Sequence, residues 1–271
     1  MTKFTEIENR NFWNKYARKL KDNPRGAHSD NHIVDLENEF IESVLRVKKP
    51  KRLLDIGCGN GTRTLKFSKY VKEKTVGIDY SDIMIKQANR TLAKQNKSIR
   101  EKISFEVQDA KSLDKYKKFD VITSCRCFVN QPSSKKQIEL FQMIHNMLKK
   151  NGSLIIAEQS KEGLENLNYI RKKFGLDKIR VPWHNLPIEE LVVFTKIDDL
   201  FKISKINRLG TFYYLSRVIH PALVYPSKPN PNAKINDLAL KTEMIFQKEL
   251  KKTGDSFEDL GAHLLIHFKK K

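Results

Sequence analysis

Leu53-Leu54-Asp55-Ile56-Gly57-Cys58-Gly59-Asn60-Gly61-Thr62 is a short apolar run that breaks into three alternating glycines. Apolar residues on both sides of a single acid suit a strand buried on both faces, and the glycines that follow read as a turn opening a helix. Glycine in such a turn lets the backbone approach a ligand closely. A dinucleotide fingerprint, G-x-G-x-x-G, would seat a pyrophosphate on the helix N-terminus. Here the third glycine falls one residue early and Asp55 sets a carboxylate beside the turn. That acid disfavours a pyrophosphate and suits a cation.

Working outward, the chain alternates between apolar β-type runs and helical periodicity. Arg52–Ile56, Thr75–Asp79, Ile103–Val107, Phe119–Ser124 and Ser153–Glu158 read as buried strands. Asn60–Tyr70, Ser81–Gln95 and Ser133–Lys150 read as helices, the last closed by Asn151-Gly152. Strands alternating with helices imply right-handed crossovers and a doubly wound parallel sheet. Upstream, Thr5–Leu20 and Asp30–Val47 look like two helices joined by a polar segment holding Pro24, Gly26 and His28, packed over the carboxyl edge of the sheet. Downstream, Asn166–Phe174 and Ile188–Phe194 look helical, Phe201–Asn207 and Gly261–Lys271 look like strands, and the stretch between those strands includes a helix over Ile235–Leu250.

Two more acids stand at strand ends. Val76-Gly77-Ile78-Asp79 closes the second strand, and an acid 20 residues beyond Gly59 is placed to accept both ribose hydroxyls of a nucleotide cofactor. Gln108-Asp109-Ala110 closes the third strand, with an acid able to accept from an adenine amino group. A cation that such a constellation suits is the ammonium and sulfonium end of S-adenosylmethionine.

This combination resembles the class I S-adenosylmethionine-dependent methyltransferases, whose loop is written [VL]LDxGxGxG, and residues 52–158 carry the resemblance to their core. Arg126-Cys127-Phe128-Val129-Asn130, Gln137, Glu158, Gly163-Leu164, Leu167-Asn168, Pro182-Trp183-His184-Asn185-Leu186, Phe212-Tyr213-Tyr214-Leu215-Ser216-Arg217 and Ile235-Asn236 are similar to a subgroup met among surface-carbohydrate and small-metabolite biosynthesis methyltransferases. The resemblance implies an α/β, doubly wound (Rossmann-like) fold with a seven-stranded, mostly parallel sheet and an antiparallel last strand. Residues 1–50 would form a helical lid, 51–209 with 260–271 the cofactor-binding core, and 210–259 a substrate-covering insertion. By the same resemblance Asp55, Gly57 and Gly59 hold the methionine end, Asp79 the ribose, Asp109 and Ala110 the adenine, and Cys125 forms the wall after the fourth strand. Base N-methyltransferases carry [DN]PP[YF] at that strand end, where this chain has Ser124-Cys125-Arg126-Cys127-Phe128, which argues against methylation of exocyclic base amines. Neither Cys125 nor Cys127 follows a proline, which argues against a catalytic thiolate.

Residues just past the fourth and fifth strands face the reacting methyl group in such a sheet. Arg126 is therefore read as a clamp for an anionic acceptor, with Asn130 and Glu158 orienting the attacking group; an Arg126–Glu158 structural bridge is the alternative. Trp183 and His184, in a segment bounded by Pro182 and Pro187, supply an aromatic wall and a candidate general base, against a purely structural imidazole. Tyr213, Tyr214 and Arg217 are candidates to close the acceptor site, against core packing of a tyrosine. His263 and His267 are expected to face solvent or a helix, without a catalytic role.

Composition bounds the partners. The chain has 271 residues, a formal net charge of +20 and 39% apolar residues, enough to build a core. No apolar run approaches the ~20 residues of a membrane span, and the N-terminus lacks the basic-then-apolar order of a secretory signal. The three cysteines, Cys58, Cys125 and Cys127, are too few for a disulfide framework, and the lone CxC does not advertise a metal site. These features read as a cytoplasmic protein. The lysines are scattered, with short clusters at Lys48–Arg52, Lys115–Lys118 and Lys269–Lys271 that carry few interleaved aromatics, which favours a solvated surface over a nucleic-acid partner. The main expectation is methyl transfer from S-adenosylmethionine to O or N of a small, anionic metabolite, such as a sugar or phosphate-bearing precursor of a surface glycan. The rivals are an RNA or protein methyltransferase using the lysine-rich surface, and a non-catalytic nucleotide-binding protein.

Overall fold

Successive residues of β1 (Arg52–Ile56) are buried on opposite faces of one sheet: Leu53 packs with Val121, Ile155 and Leu265, whereas Leu54 packs with Ile122, Ile156 and Ile266. This double burial is what a near-continuous apolar strand requires. The computed structural model describes residues 3–20, 30–109, 116, 118–249 and 260–271. The remaining strands are β2 (Lys74–Asp79), β3 (Ile103–Val107), β4 (Phe119–Cys125), β5 (Leu148–Gln159), β6 (Phe201–Asn207) and β7 (His263–Lys270). They form a seven-stranded sheet of order β3-β2-β1-β4-β5-β7-β6. β1 to β5 pair in parallel, and β7 runs antiparallel to both β5 and β6.

The described helices are α1 (Glu6–Leu20), α2 (Asn31–Lys48), α3 (Thr62–Phe67), α4 (Asp82–Ala93), α5 (Lys97–Lys102), α6 (Ser134–Met147), α7 (Lys161–Lys173), α8 (Glu190–Ile197), α9 (Gly210–Tyr214), α10 (His220–Val224) and α11 (Lys234–Glu249). Their starts are set by side-chain caps. Asp30 accepts the amides of His32 and Ile33 before α2, Ser81 that of Met84 before α4, and Ser133 that of Lys136 before α6. On one face α6 and α8 bury Phe141, Ile144 and Val193 against β4, β5 and β7. On the other, α2 buries Phe40, Ile41 and Leu45, joined by Phe212 and Val218 from beyond β6.

Some element ends differ from the sequence expectation for identifiable reasons. The helix expected over Asn60–Tyr70 begins at Thr62, because Gly61 takes φ 77° at its N-cap, and closes with a 3₁₀ turn over Ser68–Tyr70. The helix expected to reach Lys150 stops at Met147: Leu148 pairs with Phe119 in the sheet, and β5 begins there. The run at Asn166–Phe174 belongs to a longer helix started by Ser160, whose Oγ accepts the Gly163 amide at 2.9 Å. His263 and His267, expected at solvent or a helix, are both buried because β7 is flanked by strands on both sides; His263 Nε2 meets Glu37 Oε1 at 2.7 Å and His267 Nε2 meets Ser153 Oγ at 2.9 Å. The segment with Pro24, Gly26 and His28, and Ala110, lie outside the described residues.

Candidate active site

The glycine turn is strapped to the neighbouring strand. The amides of Gly57 and Cys58 both donate to the Ile78 carbonyl, at 2.9 and 3.0 Å. Gly59 has φ 54°, a region that suits glycine, and a Cβ built on it would meet nothing within 4 Å. The turn thus leaves open space beside its backbone at Gly59. Gly61 is glycine for a different reason: its Cβ would come within 2.5 Å of the Phe105 ring. A cavity of about 420 Å³ opens at this point, lined by Gly57, Gly59, Asp79, Asp109, Cys125 and Arg126 from the carboxyl ends of the parallel strands. Its size falls in the ~300–1,000 Å³ range of small-molecule sites, and its place is where open α/β sheets bind ligands.

Asp79 is held from behind. Its Oδ2 accepts the Gly59 amide at 3.0 Å and its Oδ1 the Ser81 amide at 2.9 Å. Burial pushes its carboxyl up to about 6, against the pull of these two amides. Asp109 stands exposed at the far side of the cavity. Asp55, expected at the cationic end of a ligand, is not among the residues lining the cavity. It is 3% exposed, accepts the Thr123 hydroxyl at 2.8 Å and the Thr64 hydroxyl at 2.5 Å, and so pins the strand end to the first turn of α3. Burial raises its carboxyl. Cys125 and Cys127 line the cavity as free thiols, and burial pushes Cys125 up to about 12 and Cys127 higher still, so both are protonated at neutral pH.

A family model described as a methyltransferase domain matches residues 47–191, more than half of the chain. The chain belongs to this methyltransferase family. A relative provisionally named methyltransferase 235L, from Invertebrate iridescent virus 6, is 34% identical over 132 residues, 47% of this chain and 44% of its own length. The chain spans about half the length of the curated relatives it matches. Among solved structures, the N-methyltransferase NodS of Bradyrhizobium japonicum WM9 with S-adenosyl-L-homocysteine aligns at a TM-score of 0.57 over 97% of this chain and 98% of its own, at 13% identity. Magnesium protoporphyrin IX methyltransferase of Synechocystis PCC 6803, also with S-adenosyl-L-homocysteine, aligns at 0.57 over 74% and 92%, at 17% identity. At these identities the likeness shows the fold.

The residues expected at the acceptor separate into two groups. Arg126 and Asn130 line the cavity; Glu158, Trp183, His184, Tyr213, Tyr214 and Arg217 do not. Glu158 is fully buried beneath the β4 loop, its Oε1 accepting the amides of Cys127 and Phe128 and its Oε2 that of Val129, at 2.8, 3.0 and 3.1 Å. It shapes the loop rather than touching a ligand. Burial pushes it up to about 8, against the pull of those amides. The alternative Arg126–Glu158 bridge is not formed, since Arg126 pairs with Glu37. His184 stacks on Phe12 at 3.8 Å, and burial, with Lys3 nearby, lowers its imidazole. Trp183 packs edge-on against Phe4 and Phe12. Both rings thus contact Phe12 of α1. Tyr213 is buried in the core, and Arg217 pairs with Asp30 over the Phe212 and Tyr213 rings. None of the described residues of 210–259 lines the cavity, so the cover comes from elsewhere.

That cover is α1. Asn9 donates to the carbonyls of Asn130 and His184 and accepts from the Tyr80 hydroxyl, and Trp13 Nε1 donates to Asn130 Oδ1 at 3.1 Å. Arg10 donates to the Tyr80 carbonyl at 2.8 Å, its guanidinium over the Tyr80 ring. Asn9, Arg10 and Trp13 all line the cavity. The i, i+4 spacing of Asn9 and Trp13 was the available signal, but no pattern in the chain tells which stripe of a lid helix faces inward. Arg63, two residues past Gly61, also lines the cavity and was not anticipated. Among the described residues no group of three His, Cys, Asp or Glu side chains could hold a metal ion, and no helix is long and apolar enough to cross a membrane.

Proposed function

We propose that this protein transfers the methyl group of S-adenosylmethionine to O or N of a small, anionic metabolite. The observation that carries the cofactor is the Gly59–Asp79 pair: an open glycine turn beside a carboxylate whose two oxygens are fixed by backbone amides and still have lone pairs for two hydroxyls. The cavity has the volume and the acids for the adenosyl group, so the residues present fit it. Asp79 would hold the ribose, Asp109 the adenine edge, and the turn from Gly57 to Gly59 the amino-acid end.

The bound cofactor supplies an electrophilic methyl group on a sulfonium. That methyl carbon would pass to a lone pair of the acceptor, with the carbon–sulfur electron pair left on sulfur and a proton released by the acceptor. Because positive charge disappears from sulfur in that step, a dry and aligned pocket suffices for much of the rate, through proximity worth up to ~7–11 kcal/mol. The protein contributes by ordering α1 over the cavity through Asn9 and Trp13, which keeps water out. Among the described residues no imidazole lines the cavity, and a lining carboxylate such as Asp35 would take the acceptor's proton.

The acceptor class follows from the guanidiniums of Arg126 and Arg63 in the cavity wall, which suit a carboxylate or phosphate; sugar and phosphate-bearing precursors of surface glycans fall in this class. The three free thiols fit a reducing, cytoplasmic setting. Incubating the protein with methyl-labelled S-adenosylmethionine and a fractionated metabolite extract tests the proposal. A labelled anionic product supports it, whereas cofactor binding without product would favour a non-catalytic protein.

A further inference from the structure

Arg126 sits at the end of β4 with φ 55°, a backbone region disfavoured for any residue with a Cβ. The chain is held there by two bonds: its amide donates to the Ala157 carbonyl at 2.8 Å, and its carbonyl accepts from Asn130 Nδ2 at 2.6 Å. A strained residue clamped at a cavity wall points to a function for its side chain.

The guanidinium is only half used. Nη1 bonds both oxygens of Glu37 at 3.1 Å, while among the described residues Nε and Nη2 have no hydrogen-bond partner and are not sealed from the cavity, the side chain being 22% exposed. Glu37 cannot do more. It is fully buried on α2 and also takes Arg63 Nη2 and His263 Nε2. Burial opposes its ionisation, but the two guanidiniums and His263 hold it well below the usual carboxylate range. Of the buried acids behind the wall, Asp55 is taken by two hydroxyls and Glu158 by three backbone amides, while Glu6, Asp35, Asp79 and Asp109 also line the cavity but none of them pairs with Arg126. Two guanidiniums sharing one carboxylate leave a positive wall with unused, forked donors. That is the geometry that takes two oxygens of one oxyanion.

We propose that the open edge of Arg126 docks the carboxylate or phosphate of the methyl acceptor, and that Glu37 and His263 are positioning residues that fix its orientation from α2 and β7. The proposal deepens the methyl-transfer reading, on which only the word acceptor depends. The same chemistry is present in the amino-acid carboxylate of the cofactor, so the test separates the two sources.

S-adenosyl-L-homocysteine and 5′-methylthioadenosine, which lacks the amino-acid end, are titrated by calorimetry into wild type, Arg126→Gln, Glu37→Gln and His263→Gln. A panel of small carboxylates and phosphate monoesters, each beside its amide or alcohol analogue, is then screened by ligand-observed NMR against the protein saturated with S-adenosyl-L-homocysteine and the ligand-free protein. Wild type is expected to prefer an anion over its neutral analogue by about tenfold or more, and Arg126→Gln to abolish that preference while keeping S-adenosyl-L-homocysteine affinity within about threefold. Glu37→Gln and His263→Gln are expected to reduce the anion preference with unchanged 5′-methylthioadenosine binding, a selectivity readout that a merely structural loss does not move; His263→Gln keeps a donor and covers the case in which Glu37→Gln does not fold. An unchanged anion preference in Arg126→Gln, or none in wild type, overturns the proposal. So does a tenfold loss of S-adenosyl-L-homocysteine affinity in Arg126→Gln with 5′-methylthioadenosine unaffected, which would assign Arg126 to the cofactor. If wild type fails to bind S-adenosyl-L-homocysteine, the methyl-transfer reading falls, while the ligand-free screen still decides whether Arg126 takes an anion.

Discussion

The Gly59 amide donates to Asp79 Oδ2 at 3.0 Å, tying the glycine turn after β1 to the carboxylate that ends β2. With the Ser81 amide on Oδ1, the carboxylate is aimed before any ligand arrives. Preorganisation of this kind makes the side chain's contribution to binding separable by substitution.

Asp79→Ala is expected to weaken S-adenosyl-L-homocysteine binding by about 1.5–3 kcal/mol, the cost of hydrogen bonds to a charged acceptor. Calorimetry on the folded variant reads this directly, and an affinity equal to wild type removes Asp79 from the ribose site.

The pH dependence of binding has a definite sign. Asp79 titrates near 6 in the free protein because it is buried, and hydroxyl donors prefer its charged form. Affinity for S-adenosyl-L-homocysteine is therefore expected to be level above about pH 7 and to fall as pH drops through about 6, with Asp79→Asn flattening that dependence. For stability the sign is opposite. The raised folded-state value means that Asp79 contributes stability below about pH 4, its unfolded value, and loses it as pH rises through about 6. Affinity that climbs on acidification would contradict the assignment.

Asn9 is 3% exposed and bridges α1 to the β4 loop, to His184 and to Tyr80. Asn9→Ala should leave these groups short of partners and loosen α1 without touching the sheet. Hydrogen exchange is the check: amides across Glu6–Leu20 should exchange faster, with β1 and β4 unchanged. Uniform protection in the variant would show that α1 is held by its aromatic contacts alone.

Lys49 caps α2 in the left-handed region at φ 44° and is exposed, its amide bonded to the Leu45 carbonyl. Lys49→Gly removes a Cβ from that conformation and is expected to stabilise the protein by about 0.5–1 kcal/mol. An increase in the urea midpoint at constant slope tests this; a decrease would mean that the lysine side chain contributes more than its backbone costs.

The parts of the site legible in the chain are those tied to strand ends. Gly57, Gly59, Asp79, Asp109, Cys125, Arg126 and Asn130 all stand at the cavity because a parallel sheet delivers its carboxyl ends to one edge. Side-chain direction was less legible. Asp55 lies beside the same turn yet points at Thr64 and Thr123, a choice made by hydroxyls 9 and 68 residues away. Trp183, His184 and Arg217 have the chemistry of a binding site, but they contact Phe4, Phe12 and Asp30 and stand outside the cavity lining. The Glu37–Arg63–Arg126–His263 cluster joins α2, α3, the β4 loop and β7, and no local pattern announces a group that only the folded topology assembles.

Calorimetric titration of the wild-type protein with S-adenosyl-L-homocysteine, run beside NAD and FAD, is the most direct trial of the cofactor assignment. One mole of S-adenosyl-L-homocysteine per chain, with no heat from either dinucleotide, is the expected result. Binding of NAD or FAD in its place would contradict it.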